Sequence, residues 1–307
     1  MGARISLITP TQRRPEGLAR AGRSLFAQQG VDAAELEWIV VDNDQRPSAQ
    51  AGVEALRREA PFPIVYVHEP RAGVANARNA AMSIASGELI ASLDDDEEAP
   101  PGWLAALLAA QSRYDADAVF GPVRGRAPES VGAHRAYLER FFSREGPAEA
   151  GVIDRYYGCG DSLVRRSAMP HPTQPFNAAR NHIGGEDDLM FGGMQAAGAR
   201  FAWEPAAWVW EDPAPQRLTL SYTLRRAFAY GQGPSAHCAA SSPPDRLGVA
   251  KWMLIGVGQA VVFGVVAGFQ WLAGRPQRAE TLDRAARGLG KTLWWGPFKI
   301  HFYGQAV

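Results

Sequence analysis

Apolar positions in the first hundred residues fall into short continuous runs separated by amphipathic stretches. "RISLIT" (4–9) and "LEWIVVD" (36–42) read as strands, the second apolar almost throughout, as a strand buried on both faces is. Between them a helical pattern runs from about Pro15 to Gln28. A helix near 48–59, a strand "PIVYVHE" (63–69), a helix "GVANARNAAMSIASG" (73–87) and a strand "ELIASLD" (88–94) follow. This repeated alternation predicts an α/β fold, a Rossmann-like and mostly parallel sheet with helices on both faces. Ligands of such sheets sit beyond the carboxyl ends of the strands, and Asp42 and Asp94 lie on that rim.

Past "DAVFGPVRG" (117–125) the pattern loosens. "YYGCGDSLVRRSAM" (156–169) reads as a glycine turn, a strand and an arginine pair, and "HIGGEDDLMFGGMQAAGARFAWEP" as a glycine turn, an acidic pair, a helix and a strand. Small residues and a double proline make "SAHCAASSPPDR" the best linker. The expected organisation is a catalytic domain over 1–234, with a nucleotide half at about 1–125 and a second half at about 126–234, then a linker at 235–247 and an appendage over 248–307.

Composition narrows the partners. Lys plus Arg equals Asp plus Glu at 32 each in 307 residues, so no polyanion, and no nucleic acid, is implied. Cys159 and Cys238 have neither metal-site nor disulfide spacing and suit a reducing compartment. The N-terminus lacks the long apolar core of a secretory signal, so the catalytic region is expected in the cytoplasm.

The chemistry concentrates in "GELIASLDDDEEAPPGWL" (87–104). An acidic run is ordinarily a solvated turn, but here a strand delivers it to the ligand rim. Residues two apart on extended chain point the same way, so Asp94 and Asp96 share a side and Asp95 faces elsewhere. Two such carboxylates suit Mg2+ or Mn2+ completed by substrate phosphates. Arg78, just upstream, and Asp42 on the same rim add a guanidinium and an acceptor, the set that a nucleotide diphosphate requires.

At this point the chain resembles the family 2 glycosyltransferases of the GT-A fold. The resemblance rests on "SLITPTQRRPEGLARAGRSLFAQ", "WIVVDND", "GVANARNAAMSIASGELIASLDDDE" and "GGEDDLMFGGMQAAGARFAWEPAAWVWEDP", in order over about residues 4–215. It implies a nucleotide-sugar site at Thr9, Pro10, Asp42, Arg78, Asp94 and Asp95, a divalent metal on Asp94 and Asp96, and Asp187 as catalytic base. Glu186, Arg225 and Arg226 are candidates for contact with acceptor or phosphate. Where many relatives carry a histidine, this chain has "WVWEDP", which makes Glu211 a candidate third ligand.

No charge interrupts the chain between Lys251 and Arg275, about the length that crosses a bilayer. The tail beyond carries Leu282, Leu289 and Leu293 on one helical face, then Trp294, Trp295, Phe298 and Tyr303 among lysines, a mixture suited to a headgroup interface. Basic residues flank the apolar segment on both sides and favour neither orientation, leaving a spanning, re-entrant or interfacial anchor open. The combined expectation is an inverting glycosyltransferase on the cytoplasmic face of the inner membrane, moving sugar from a nucleotide diphosphate donor to a glycan or lipid-linked acceptor. Two alternatives stand beside it: a nucleotidyltransferase making an activated sugar, and a non-catalytic nucleotide-binding subunit of a membrane complex. Donor hydrolysis by the purified protein separates the last from the enzymes.

Overall fold

The computed structural model describes residues 4–181 and 184–300, which fall into two compact units. Among the described residues, one runs to Arg124 and resumes over Ser143–Asp212; the other holds Gly125–Phe142 and 213–300. The expected divisions at 125/126 and 234/235 therefore give way to a segment exchange, in which one short excursion belongs with the C-terminal helices.

In the first unit β1 (Ile5–Thr11), α1 (Pro15–Phe26), β2 (Leu36–Asp42), α2 (Gln50–Leu56), β3 (Ile64–His68), α3 (Val74–Ile84) and β4 (Leu89–Ser92) alternate as the periodicity predicts. Next come β5 (Glu97–Glu98), α4 (Trp103–Tyr114), β6 (Ala118–Phe120) and β7 (Val123–Gly125). After α5 (Arg135–Phe142), which belongs to the second unit, β8 (Gly151–Ile153), β9 (Ser162–Arg165), α6 (Glu186–Ala196), β10 (Phe201–Trp203) and β11 (Val209–Glu211) complete the first.

The main sheet has the order β3-β2-β1-β4-β9-β6-β10-β8, and β5-β11-β7 form a smaller one. Strands β3, β2, β1 and β4 are mutually parallel. Strand β9 enters between β4 and β6 antiparallel to both. Alternate strand residues feed two cores: Leu7, Trp38 and Val40 meet Leu18, Leu25, Val53 and Leu107, whereas Ile8, Ile39 and Val41 meet Ala77, Met82, Phe191 and Met194. Helices α1, α2 and α4 thus cover one face and α3 and α6 the other. The approach of α1 requires Gly22, where a Cβ would lie 2.6 Å from the Trp38 ring.

The second unit contains α5, α7 (Leu220–Ala240), α8 (Arg246–Leu272) and α9 (Arg278–Thr292). Residues 235–240 of the expected linker are the last turns of α7, and the connection to α8 is only Ser241–Asp245. Backbones touch through glycine: a Cβ on Gly231 would meet the Arg287 carbonyl and one on Gly256 the Gly288 carbonyl. Asp283 of α9 accepts from the Tyr137 hydroxyl of α5 at 3.1 Å. Helix α8 is long and apolar enough to cross a membrane, and most of its side chains are exposed. Tyr303, expected at the headgroup interface, lies outside the described residues.

Candidate functional site

Parallel register aligns Thr11 with Asp42 and Asp42 with His68, so three loops open on one rim. Strand β4 stops at Ser92, and Asp94, Asp95 and Asp96 occupy a turn just beyond it. Burial alternates through this turn as the two-residue period predicts: Asp95 and Glu97 are buried, Asp94 and Asp96 half-buried. Strand β1 fixes the turn from beneath. Thr9 donates to the Leu93 carbonyl at 2.8 Å and Thr11 to Asp95 Oδ2 at 2.7 Å.

These contacts engage three of the implied donor residues internally. Thr9 is fully buried, and its oxygen also accepts from the Trp38 indole at 3.0 Å, so it braces the turn. Asp95 points inward to Thr11 and Arg14. Asp42 is buried, and its oxygens accept from Asp44 N, Ser48 Oγ, Ala49 N and Tyr66 Oη at 2.6–3.3 Å. A carboxylate has about four acceptor positions, so nucleoside recognition at Asp42 would require Ser48 or Tyr66 to yield. Pro10 stays half-exposed at the rim.

Arg78 is the centre of the site. Its Nη1 donates to Glu186 Oε1 at 2.6 Å, its Nη2 lies 3.6 Å from Asp94 Oδ1, and its guanidinium sits 5.6 Å from the Phe176 ring. Burial works against the charge, but Cys159, Asp94, Glu186 and Asp187 outweigh it and the pKa is raised. Arg78 thereby ties the acidic turn to the start of α6. Helix α3, which presents it, is capped from a distance: Asn181 Oδ1 accepts from Ala75 N and Asn76 N at 3.0 and 3.3 Å. Gly73 must be glycine, because its φ is +125° and a Cβ would fall 2.2 Å from Asn181.

The acidic pair divides its duties. Glu186 is buried and bound to Arg78. Asp187 is half-exposed; its Oδ1 accepts from Asp188 N at 2.9 Å, and its Oδ2 lies 3.4 Å from Cys159 N. Arg225 and Arg226 lie on α7 in the second unit, where Arg226 donates to Tyr222 and Tyr230 at 3.0 and 2.7 Å.

Four functional groups escaped the sequence reading. Arg14 Nη1 binds Asp96 at 2.6 Å and Asp95 at 3.3 Å, an internal counter-ion for the turn. Arg144 donates to the carbonyls of Gly121, Gly158, Gly160 and Asp161 at 2.8–3.2 Å and so sets the Gly158-Cys159-Gly160 loop. Glu97 accepts from Asp94 N at 2.8 Å. Asp161 is fully buried at φ +52°, with Oδ1 on the Trp103 indole at 2.6 Å and Oδ2 lacking any hydrogen-bond partner. The glycines of the loop make room for acid: a Cβ on Gly160 would lie 2.8 Å from Glu97 Oε1 and 3.0 Å from Asp94 Oδ2. Only the paired arginines of "TQRRPEG" and the glycine spacing hinted at any of this.

Burial shifts several of these carboxyls toward their protonated form. Burial, the largest influence in each case, raises the pKa of Asp94, of Glu97 and of Glu186, and lifts Asp95 and Asp161 to about 7. Antiparallel pairing of β11 with β5 sets Glu211 opposite Glu97, and Asp212 N donates to the Asp96 carbonyl at 2.7 Å. Among the described residues no group of three His, Cys, Asp or Glu side chains is arranged to hold a metal ion. Asp94 and Asp96 nevertheless offer hard oxygen, which fits a cation completed by diphosphate oxygens and water, although Asp96 is held by Arg14 at 2.6 Å.

Comparison with known proteins gives the family. The family described as "Glycosyl transferase family 2" matches residues 6–171, spanning β1 to β9. The chain belongs to glycosyl transferase family 2. This glycosyltransferase is 40% identical over 229 residues to the succinoglycan biosynthesis protein ExoM of Rhizobium meliloti (strain 1021), covering 74% of this chain and 73% of ExoM. The mannosyltransferase PcManGT from Pyrobaculum calidifontis, solved in complex with GDP-Man and Mn2+, superposes with a TM-score of 0.58 at 17% identity over 96% of this chain and 88% of its own. S. aureus TarS 1–349, solved with UDP, gives 0.55 at 16% over 94% and 89%. The chain spans only 40% of a longer TarS chain. These likenesses establish the GT-A fold.

Proposed function

We propose that this family 2 glycosyltransferase transfers a sugar, with inversion, from a nucleotide diphosphate donor to an acceptor hydroxyl in the assembly of a polysaccharide. The observation that carries the reading is Arg78 bridging Asp94 of the strand-end turn to Glu186 at the start of α6, with Asp187 beside it and partly open. A donor is then bound on one side of Arg78 and an acceptor on the other.

Asp187 accepts the hydroxyl proton as the acceptor oxygen attacks the anomeric carbon; the bond to the diphosphate breaks in the same displacement, and its electrons leave with the diphosphate. The half-exposed position of Asp187 leaves its carboxylate reachable, whereas Glu186 is locked away on Arg78. Arg78 adds fixed positive charge where negative charge develops. Asp94 and Asp96 would hold Mn2+ or Mg2+, which when bound supplies positive charge against the leaving diphosphate. The Mn2+ and GDP-Man of PcManGT and the UDP of TarS support a metal and a nucleotide donor. The name of ExoM supports a polysaccharide product.

The exposed apolar α8 and the basic residues around it support a place at the cytoplasmic face of the inner membrane, next to a lipid-linked acceptor. Screening nucleotide sugars with Mn2+ for thermal stabilisation and hydrolysis tests the activity. A donor at 100 times its Kd stabilises by about 2.7 kcal/mol; failure of every nucleotide sugar to stabilise or hydrolyse would overturn it.

A further inference from the structure

Helix α8 has two unlike sides. Gly256, Gln259, Phe263, Ala267 and Gln270 form a stripe spaced three or four residues apart that is covered by α9: Lys291 Nζ donates to Gln259 Oε1 and Thr281 Oγ1 to Gln270 Oε1, both at 2.8 Å, and the Arg284 guanidinium lies 5.3 Å from the Phe263 ring. The opposite side exposes Leu254, Val261, Val265, Phe269 and Leu272. Gln259 stands at the middle of the 27-residue helix. A spanning α8 would therefore carry the Lys291 ammonium to the centre of the bilayer, with Arg284 and Arg287 of α9 also in the hydrocarbon. Lysine and arginine at that depth are costly.

Turning the helix parallel to the surface removes that cost. Packed helix axes lie about 8–10 Å apart, and an interfacial helix sinks roughly 5–10 Å into the headgroup boundary. With α8 as the sunken layer, α9 rides at headgroup depth and α7 behind it. The charge of the segment fits an anionic leaflet: residues 245–300 hold eight Lys or Arg and three Asp or Glu, a net of five positive in a chain that is neutral overall.

We propose that α8 lies in the plane of an anionic lipid leaflet, its Leu254, Val261, Val265 and Phe269 side in the acyl layer and its α9 side toward water. This rests on the membrane association proposed above and names its mode. The test uses the full chain with Cys238→Ser and one added cysteine at either end of α8, Ser242→Cys or Gln277→Cys, bound to vesicles of phosphatidylcholine and phosphatidylglycerol. A membrane-impermeant maleimide added outside should label both positions to the same extent before and after detergent. Protection of either position until detergent is added means that α8 spans, and overturns the proposal. Val261→Asp should weaken vesicle binding at least about tenfold while UDP or GDP binding is unchanged. Equal binding to pure phosphatidylcholine vesicles would refute the anionic partner. Absence of binding to any vesicle would refute the membrane association itself and this mode with it, with nucleotide binding still reporting on the first unit.

Discussion

Asp95→Asn should make the protein less sensitive to alkali. Burial, opposed by Arg14 and the Thr11 hydroxyl and reinforced by Asp96 and Asp94, lifts the Asp95 carboxyl from 3.8 to about 7. The folded protein thus holds this proton more tightly than the unfolded chain does. Stability from this group is full below about pH 4 and is lost as pH rises through about 7. A shift of roughly 3 pH units at 1.36 kcal/mol each amounts to about 4 kcal/mol between those limits. In a unit of about 190 residues that corresponds to roughly 8–16 °C in Tm. Asparagine cannot ionise, yet its carbonyl can still accept from Thr11, and Arg14 keeps Asp96. The variant should match the parent near pH 4 and exceed it at pH 8 by up to about 4 kcal/mol, measured by urea unfolding with tryptophan fluorescence in chelator. Parallel stability profiles for the two proteins between pH 4 and 8 would refute the assignment of a strained, buried charge to Asp95.

Three further outcomes are expected. Asp187→Asn should leave the donor Kd within about threefold while lowering transfer at least about a hundredfold; surviving turnover would move the base to Asp188. Asp96→Ala should abolish the Mn2+ dependence of nucleotide binding in titration calorimetry, and equal affinity in Mn2+ would sink the metal assignment. Gly73→Ala should destabilise by more than about 1 kcal/mol in chemical denaturation, since the side chain meets both a forbidden φ and Asn181; an unchanged midpoint would mean that Asn181 does not cap α3 in solution.

The legible part of this fold is the local part. Strands β1 to β4 and the helices between them announce themselves by period and by the rim aspartates, and α6 by its acidic first turn. Antiparallel β9 between β4 and β6 was not legible, because a strand's neighbours are chosen by pairing across the chain. The site divides the same way. Arg78 and Asp94 stand out by spacing and Asp187 by resemblance, and the structure brings Arg78 to Asp94 and to Glu186 beside Asp187. Thr9 and Asp95 sit in the right motif but are buried, Thr9 in a strand packed on both faces and Asp95 in a turn held by Thr11 and Arg14. Arg14 and Arg144 owe their roles to partners from 14 to more than eighty residues away, which no local pattern encodes.

The sheet order also bears on synthesis. A ribosome delivers β6 about forty residues before β9, and both sheet neighbours of β6, β9 and β10, come later in the chain. Until Ser162–Arg165 emerges, β4 keeps one unpaired edge and β6 keeps two, and such edges recruit other chains. The half of the sheet built from β1 to β4 is thus not a separable product of translation. A stop codon or protease cut before β9 should yield aggregate instead of a small donor-binding protein, and a pause in translation near that point would prolong the nascent chain's need for chaperones.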